Sequence, residues 1–322
     1  MSDFAGMRGQ IEIISGTAHP VLAKEVAVLA GHQLASLAVS RFPDGEIYTR
    51  IDTSVRGKDV FLVQPTCPPV NENFTEILII LDALYRASAG RVTAVIPYYG
   101  YARQDKKTAG REPITARMIA DMLSAGGADR VLAIDLHSAQ IQGFFSVPVD
   151  HLTALNVLTR QMSQWDLSDS VIVAPDTGRV GMASHYAERL GLPVVIIHKK
   201  RTGPEQTEVS HVVGEVRGKR PIIIDDMITT GGTIYRSIQA LLDQGAKADI
   251  RVTATHPVLV GKAMEYLSHE AVSRLLVTNT LPIPPDKRID KMEIISVAPL
   301  IADAIARIHS DRSVSDLFEK SA

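Results

Sequence analysis

The sequence predicts an α/β fold made of two similar domains, each a parallel sheet flanked by helices. Three observations carry that expectation. Short, uniformly apolar runs recur along the chain, helix-period segments lie between most of them, and the same rhythm restarts in the second half. Strands buried on both faces read as continuous apolar runs, whereas a surface helix repeats its apolar residues every three or four positions. Alternation of the two implies parallel strands joined by helices that cover both faces of a sheet.

Each element can be justified in turn. DVFLVQ (59–64) is too short and too uniformly apolar for a surface helix and reads as a buried strand. Phe74, Ile77, Leu78, Leu81, Leu84 and Tyr85 form one helical face, and Gly90 stands where a C-terminal cap is expected. RVTAVIP (91–97) is the next strand. PITARMIADMLSAGG (113–127) is a helix with proline at its start and a glycine pair at its end, and RVLAIDL (130–136) is a strand. In the second half VIVAP (171–175), PVVII (193–197), PIIIDD (221–226), DIRVTAT (249–255) and RLLVTN (274–279) are strand candidates. The domains are expected at 1–155 and 156–299, with no low-complexity linker between them. The last helix, about 298–309, could belong to either half, so residues 300–322 are free to join the first.

Composition narrows the function classes. The 322 residues include 34 Lys plus Arg and 36 Asp plus Glu, so the net charge of −2 offers no global field for nucleic acid or membrane. Cys67 is the only cysteine, which excludes an internal disulfide and a cysteine-rich zinc site. No apolar run approaches the ~18–20 residues of a membrane span, and MSDFAGMRGQ lacks a secretory pattern. The expectation is a cytoplasmic protein without nucleic-acid or membrane partners.

Ligands of open parallel sheets bind beyond the carboxyl ends of the strands. IIIDDMITTGGT (222–233) is the strongest such place. Asp225 and Asp226 end an apolar run, and two adjacent acids at a strand end are costly to hold without a function. The loop after them has almost no side chains except hydroxyls, and residues 234–242 look helical. Glycine N–H groups, threonine hydroxyls and a helix N-terminus suit a phosphate. The carboxylates suit hydroxyls, or a metal beside that phosphate. A sugar phosphate carries both groups.

Strand-D-D-x-x-x-T-G-G-T resembles the phosphoribosyl-binding loop of the type I phosphoribosyltransferase fold. RFPDGE (41–46), PYYGYARQDKK (97–107), REPITA (111–116), DLHSAQIQGFF (135–145) and THPVL (255–259) together resemble the ribose-phosphate pyrophosphokinases, or PRPP synthetases, from about residue 11 to 318. That resemblance implies transfer of the β,γ-diphosphate of ATP to the C1 hydroxyl of ribose 5-phosphate, giving PRPP and AMP, with magnesium required. It implies that Phe42, Asp44 and Glu46 reach the adenine of ATP from a neighbouring subunit, and that Arg103 and Gln104 meet ATP, Arg103 at its phosphates. It makes His137 and Asp176 magnesium ligands, with Asp135 orienting the histidine. HKKRTGPEQTEV (198–209), a polar loop, becomes a catalytic flap whose Lys199 and Arg201 stabilise the group in flight. Asp225 and Asp226 would bind the ribose hydroxyls, and Thr229, Thr230, Gly231, Gly232 and Thr233 line the 5-phosphate loop. A homohexamer is implied, with inorganic phosphate as activator and ADP as inhibitor at an interface to which Lys106, Lys107 and Arg111 could contribute.

Three positions depart from the family pattern. Thr229 stands where aspartate is usual. Arg179 stands where many members have a second glycine, and could add a phosphate contact or point to solvent. Ala139 occupies the position of a regulatory serine. A non-catalytic regulatory paralogue is the main rival reading, and it is opposed by the presence of Lys199, Arg201 and His137. A base-specific phosphoribosyltransferase would explain 222–233 but not YYGYARQD. GEVRGKR (214–220) lacks the spacing and the Ser/Thr of a P-loop.

Overall fold

The computed structural model describes residues 9–201, 207–315 and 317, with side chains placed outside 199–210. The chain forms two compact units. One contains the residues through Thr153, Thr280–Pro282 and the stretch from Ser296; the other contains Ala154–Asn279 and Ile283–Ile295.

The first unit opens with β1 (Ile11–Ser15) and α1 (Pro20–Leu29), followed by β2 (Leu37–Arg41) and β3 (Ile47–Ile51). Then come β4 (Asp59–Val63), α2 (Val70–Arg86), β5 (Arg91–Ile96), α3 (Thr115–Ala125), β6 (Arg130–Ile134) and β7 (Val149–Leu152). A five-stranded sheet runs in the order β1-β4-β5-β6-β7, parallel throughout. β4 is buried at every position, as its unbroken apolar run requires. β2 and β3 form a separate antiparallel pair that the strand–helix rhythm does not reveal.

Two local expectations are corrected. α2 ends at Arg86 with Ala87 as its cap, so Gly90 is not the cap. Gly90 begins the approach to β5, where an added Cβ would lie 2.6 Å from the Gly57 carbonyl oxygen, and close backbone packing accounts for the glycine. α3 starts at Thr115, so Pro113 lies before its N-cap Ile114, while Gly126 does cap its end.

The second unit comprises α4 (Leu155–Met162), β8 (Ser170–Ala174), α5 (Val180–Leu190), β9 (Val194–Arg201), β10 (Thr207–Val213) and β11 (Arg220–Ile228). It continues with α6 (Gly232–Asp243), β12 (Ile250–Pro257), α7 (Ala263–Leu267), β13 (Val272–Thr278) and β14 (Met292–Ile295). Its sheet order is β10-β9-β8-β11-β12-β13-β14, parallel except at β10–β9. The chain moves outward on one side from β8 to β9 and on the other from β11 to β14. The crevice between β8 and β11 is therefore the switch point where ligands of such sheets bind. Of the segment expected to be a polar loop at 198–209, the described residues are strand: β9 runs on to Arg201 and pairs antiparallel with β10, while residues 202–206 lie outside the described residues.

The last helix, α8 (Ala298–His309), packs in the first unit against α1. The Asp59 carboxylate at the start of β4 accepts from Arg91 Nε at 2.8 Å and meets His309 Nδ1 at 2.8 Å, while Arg91 Nη2 donates to the Ile308 carbonyl at 3.3 Å. No helix among the described residues is long and apolar enough to cross a membrane.

Candidate active site

At the switch point of the second sheet, β11 loses its partner on one side. Its pairing with β8 runs from Arg220 to Ile223, while its pairing with β12 continues to Ile228. Asp225 and Asp226 occupy this half-paired stretch, two residues short of the strand's end, and both are buried. The Asp225 Oδ1 accepts the Asp226 N–H at 2.9 Å, and the Asp226 Oδ1 accepts the Met227 N–H at 2.9 Å.

Arg179 supplies the counter-charge. Its Nε lies 3.0 Å from Asp225 Oδ1 and its Nη2 lies 2.7 Å from Asp226 Oδ1. Of the two alternatives open for this residue in the sequence, a solvent-facing side chain does not describe it, because the side chain is largely buried against the two carboxylates. Burial pushes the Asp225 carboxyl well above the usual carboxylate range, the adjacent Asp226 carboxylate adds to this, and the Arg179 guanidinium opposes it. Burial alone would lower Arg179, but Asp226, Asp225 and Asp176 together outweigh it and raise the guanidinium. Asp176 follows β8, and its Oδ1 accepts the Gly178 N–H at 2.9 Å, capping the single 3-10 turn Thr177–Arg179 that carries the arginine.

Beyond β11 the loop turns into α6. Gly231, with φ of +74°, precedes the helix, and a Cβ there would lie 3.1 Å from Ala263 Cα, so conformation and space both demand glycine. Among the described residues no side chain caps α6, and an uncapped helix start offers its first amides to an anion. Thr230 is exposed, Thr229 is half-buried, and Thr229 accepts the Val260 N–H at its carbonyl, 2.9 Å away. Sequence reasoning passed over Arg236: a Cβ built on Gly232 would lie 3.4 Å from its Nη1, so its guanidinium overhangs the loop. Its signal was a basic residue one turn into a helix that follows a phosphate-type loop. Lys199 and Arg201 lie on the backbone of β9, whose carboxyl end they form; their side chains are outside those described.

The first unit places its candidates by the same logic. His137 follows β6 after Asp135, whose φ of +39° is a strained backbone for a residue with a side chain. The bend is held where the Leu136 N–H donates to His151 Nε2 at 2.8 Å. Arg103 and Gln104 follow β5; Arg103 is exposed, whereas Gln104 Oε1 accepts from the Thr115 hydroxyl at 2.6 Å and so fastens the start of α3. Phe42, Asp44 and Glu46 form the tip of the β2–β3 hairpin. Phe42 is 51 % exposed with Tyr48 edge-on at 5.8 Å, and Asp44 Oδ1 accepts the Glu46 N–H at 3.2 Å. Lys106, Lys107 and Arg111 surround a turn closed by Glu112, which accepts from the Thr108 and Ala109 amides at 2.6 and 2.9 Å. Among the described residues no three His, Cys, Asp or Glu side chains converge as a metal site.

A parallel α/β sheet with an acidic pair at its switch point, a hydroxyl-and-glycine loop and an uncapped helix start defines a protein of the phosphoribosyltransferase fold class. More particularly, the chain belongs to the ribose-phosphate pyrophosphokinase family. Residues 11–127 match the model of the N-terminal domain of ribose phosphate pyrophosphokinase, and residues 204–319 match the phosphoribosyl synthetase-associated domain. The ribose-phosphate pyrophosphokinase of Gloeobacter violaceus is 49% identical over 310 residues, 96% of this chain and 93% of that one. That of Bacillus subtilis is 47% identical over 308 residues, 96% and 97% of the two chains. The crystal structure of phosphoribosylpyrophosphate synthetase from Mycobacterium smegmatis superposes with a TM-score of 0.89 at 44% identity, covering 94% of this chain and 99% of that one.

Proposed function

We propose that this enzyme, a ribose-phosphate diphosphokinase, transfers the β,γ-diphosphate of ATP to the C1 hydroxyl of ribose 5-phosphate through the residues described above, releasing PRPP and AMP for nucleotide biosynthesis. The observation that carries the residue assignment is the buried Asp225–Asp226 pair on the strand that leads, through a short loop, into an uncapped helix N-terminus. The carboxylates accept the ribose hydroxyls. The amides of Gly231, Gly232 and Thr233 and the Thr229 and Thr230 hydroxyls hold the 5-phosphate, with Arg236 adding charge.

Phe42, Asp44 and Glu46 take the adenine, and Arg103 and Gln104 the rest of ATP. The hairpin of β9 and β10 brings Lys199 and Arg201 to the transferring phosphoryl group, where fixed cations lower the barrier and closure keeps water out. Magnesium suits the donor set, because the ion binds through one or two carboxylates and substrate phosphates and needs no all-protein cage. Asp176 and His137 would hold it, and its chemistry when bound is to neutralise phosphate charge and acidify the attacking hydroxyl.

Exposed apolar faces support assembly into a homohexamer: Val21, Val28 and Leu29 on α1, and Met118 and Met122 on α3. The basic turn at Lys106, Lys107 and Arg111 is the place for inorganic phosphate or ADP as effectors, and the protein works in the cytoplasm.

The test is formation of AMP and PRPP from ATP, ribose 5-phosphate and magnesium. The two products should appear in equal amounts. Lys199→Ala should lower kcat by about 100- to 1,000-fold, the loss of one charge-stabilising donor. An active Lys199→Ala protein, within a few-fold of the parent, would remove the hairpin from the chemistry.

A further inference from the structure

The acidic pair at the sugar site already carries a cation of its own. Arg179 enters from the turn after β8, at the level where β8 stops pairing with β11, and takes the edge of β11 that β8 has left. Adjacent residues of a strand point to opposite faces, so one ligand rarely reaches both side chains. Here each carboxylate curls onto the next backbone N–H, and the planar guanidinium spans the two, Nε to Asp225 at 3.0 Å and Nη2 to Asp226 at 2.7 Å. The Arg179 side chain is 14% exposed, so the contact is shielded from solvent. An ammonium is a point charge and could not span both carboxylates in this way; the guanidinium fork can. A divalent ion is the other common counter-charge for such a pair.

We propose that Arg179 is a positioning residue for the sugar site: it is the resident counter-cation of Asp225 and Asp226, fixing both carboxylates before substrate arrives and keeping divalent ions off them. The link to ribose binding rests on the function proposed above; the cation exclusion does not. It also gives position 179 a role, set by the two carboxylates it meets.

The experiment compares the full-length protein with Arg179→Met, Arg179→Lys and the double variant Arg179→Met/Asp225→Asn. Steady-state kinetics should show the KM for ribose 5-phosphate raised about tenfold or more in Arg179→Met, as expected for a lost hydrogen bond to a charged group. The KM for ATP should stay within about twofold, and Arg179→Lys should fall between the parent and Arg179→Met. In nucleotide-free protein, electron paramagnetic resonance of added Mn2+ should show one extra bound ion per chain in Arg179→Met. The double variant should lose it. An unchanged KM for ribose 5-phosphate in folded Arg179→Met, or equal Mn2+ uptake by parent and variant, would overturn the inference. If the parent itself made no PRPP, the proposed function would fail while the Mn2+ comparison still decided the role of Arg179. If Arg179→Met failed to fold, Arg179→Lys would carry the same comparisons: a KM and Mn2+ uptake equal to the parent's would overturn the inference.

Discussion

Arg179 shows what a single residue can and cannot reveal in sequence. The acids and the glycine loop were legible because strand, carboxylates and loop are contiguous in sequence. The arginine's role was not, because its partners lie 46 residues away in Asp225 and one further in Asp226. Glu76 failed to announce itself for the same reason. It reads as an ordinary acid on α2, yet it is 1% exposed and accepts from the amide and hydroxyl of Thr17 at 2.6 Å each, and from Gln64 Nε2 at 3.0 Å. Cys67 yields a prediction at this scale. It is buried, and burial pushes its thiol up to about 11. At pH 8 only about a thousandth of such a thiol is ionised, against about a quarter at the free value, and the thiolate is the reactive form. Ellman's reagent should leave the folded protein almost unlabelled at pH 8 and find one thiol per chain in denaturant. Rapid stoichiometric labelling of the native protein would contradict this.

At the scale of elements, the parallel strands were legible wherever both faces are buried. β4, β5, β8, β11 and β12 appear in sequence as apolar runs, and in the structure they lie within a few residues of their expected bounds. β2 and β3 were not found, because they lie outside the main sheets and only part of each strand is covered. The β9–β10 hairpin was hidden by its polar composition, HKKR against TEVSHVV, which matches neither strand nor helix periodicity. The placement of α8 needed a tertiary contact, and Asp59 supplies it. Asp59 is 2% exposed and joins β5 to the end of α8 through Arg91 and His309. Asp59→Ala removes the carboxylate that neutralises Arg91 in a largely buried place, leaving it the Ile308 carbonyl, and should cost about 2 kcal/mol. The exposed Arg86–Asp82 pair on α2 is the control, since solvent screens it and truncating Arg86 to alanine should leave stability nearly unchanged. Urea unfolding followed by fluorescence and circular dichroism would separate the two, and limited proteolysis should release the α8 segment first in Asp59→Ala.

At the scale of the whole molecule, the proposed assembly makes a testable claim about which subunit would supply which part of a site. The Phe42 hairpin tip is half-exposed in its own unit, with Tyr48 edge-on to its ring. A ring of that size left open on a polar turn is suited to a surface that assembly would cover. If the tip serves the adenine of a neighbouring subunit, two defective chains can repair each other. Phe42→Ala spoils the donated tip and Lys199→Ala spoils the acceptor's hairpin, and each alone should be nearly inactive at low ATP. In a randomly mixed oligomer, half of all sites have an intact Lys199 and half of those receive an intact Phe42. Equal mixing after dissociation and reassembly should thus restore about a quarter of the parent activity, the statistical share for a site shared across a symmetric interface. If each chain used its own tip, every site in the mixture would lack one residue or the other, and reassembly would restore nothing. The recovered fraction therefore decides whether the hairpin acts across a subunit boundary, and a repeat at rising protein concentration would show whether activity follows assembly.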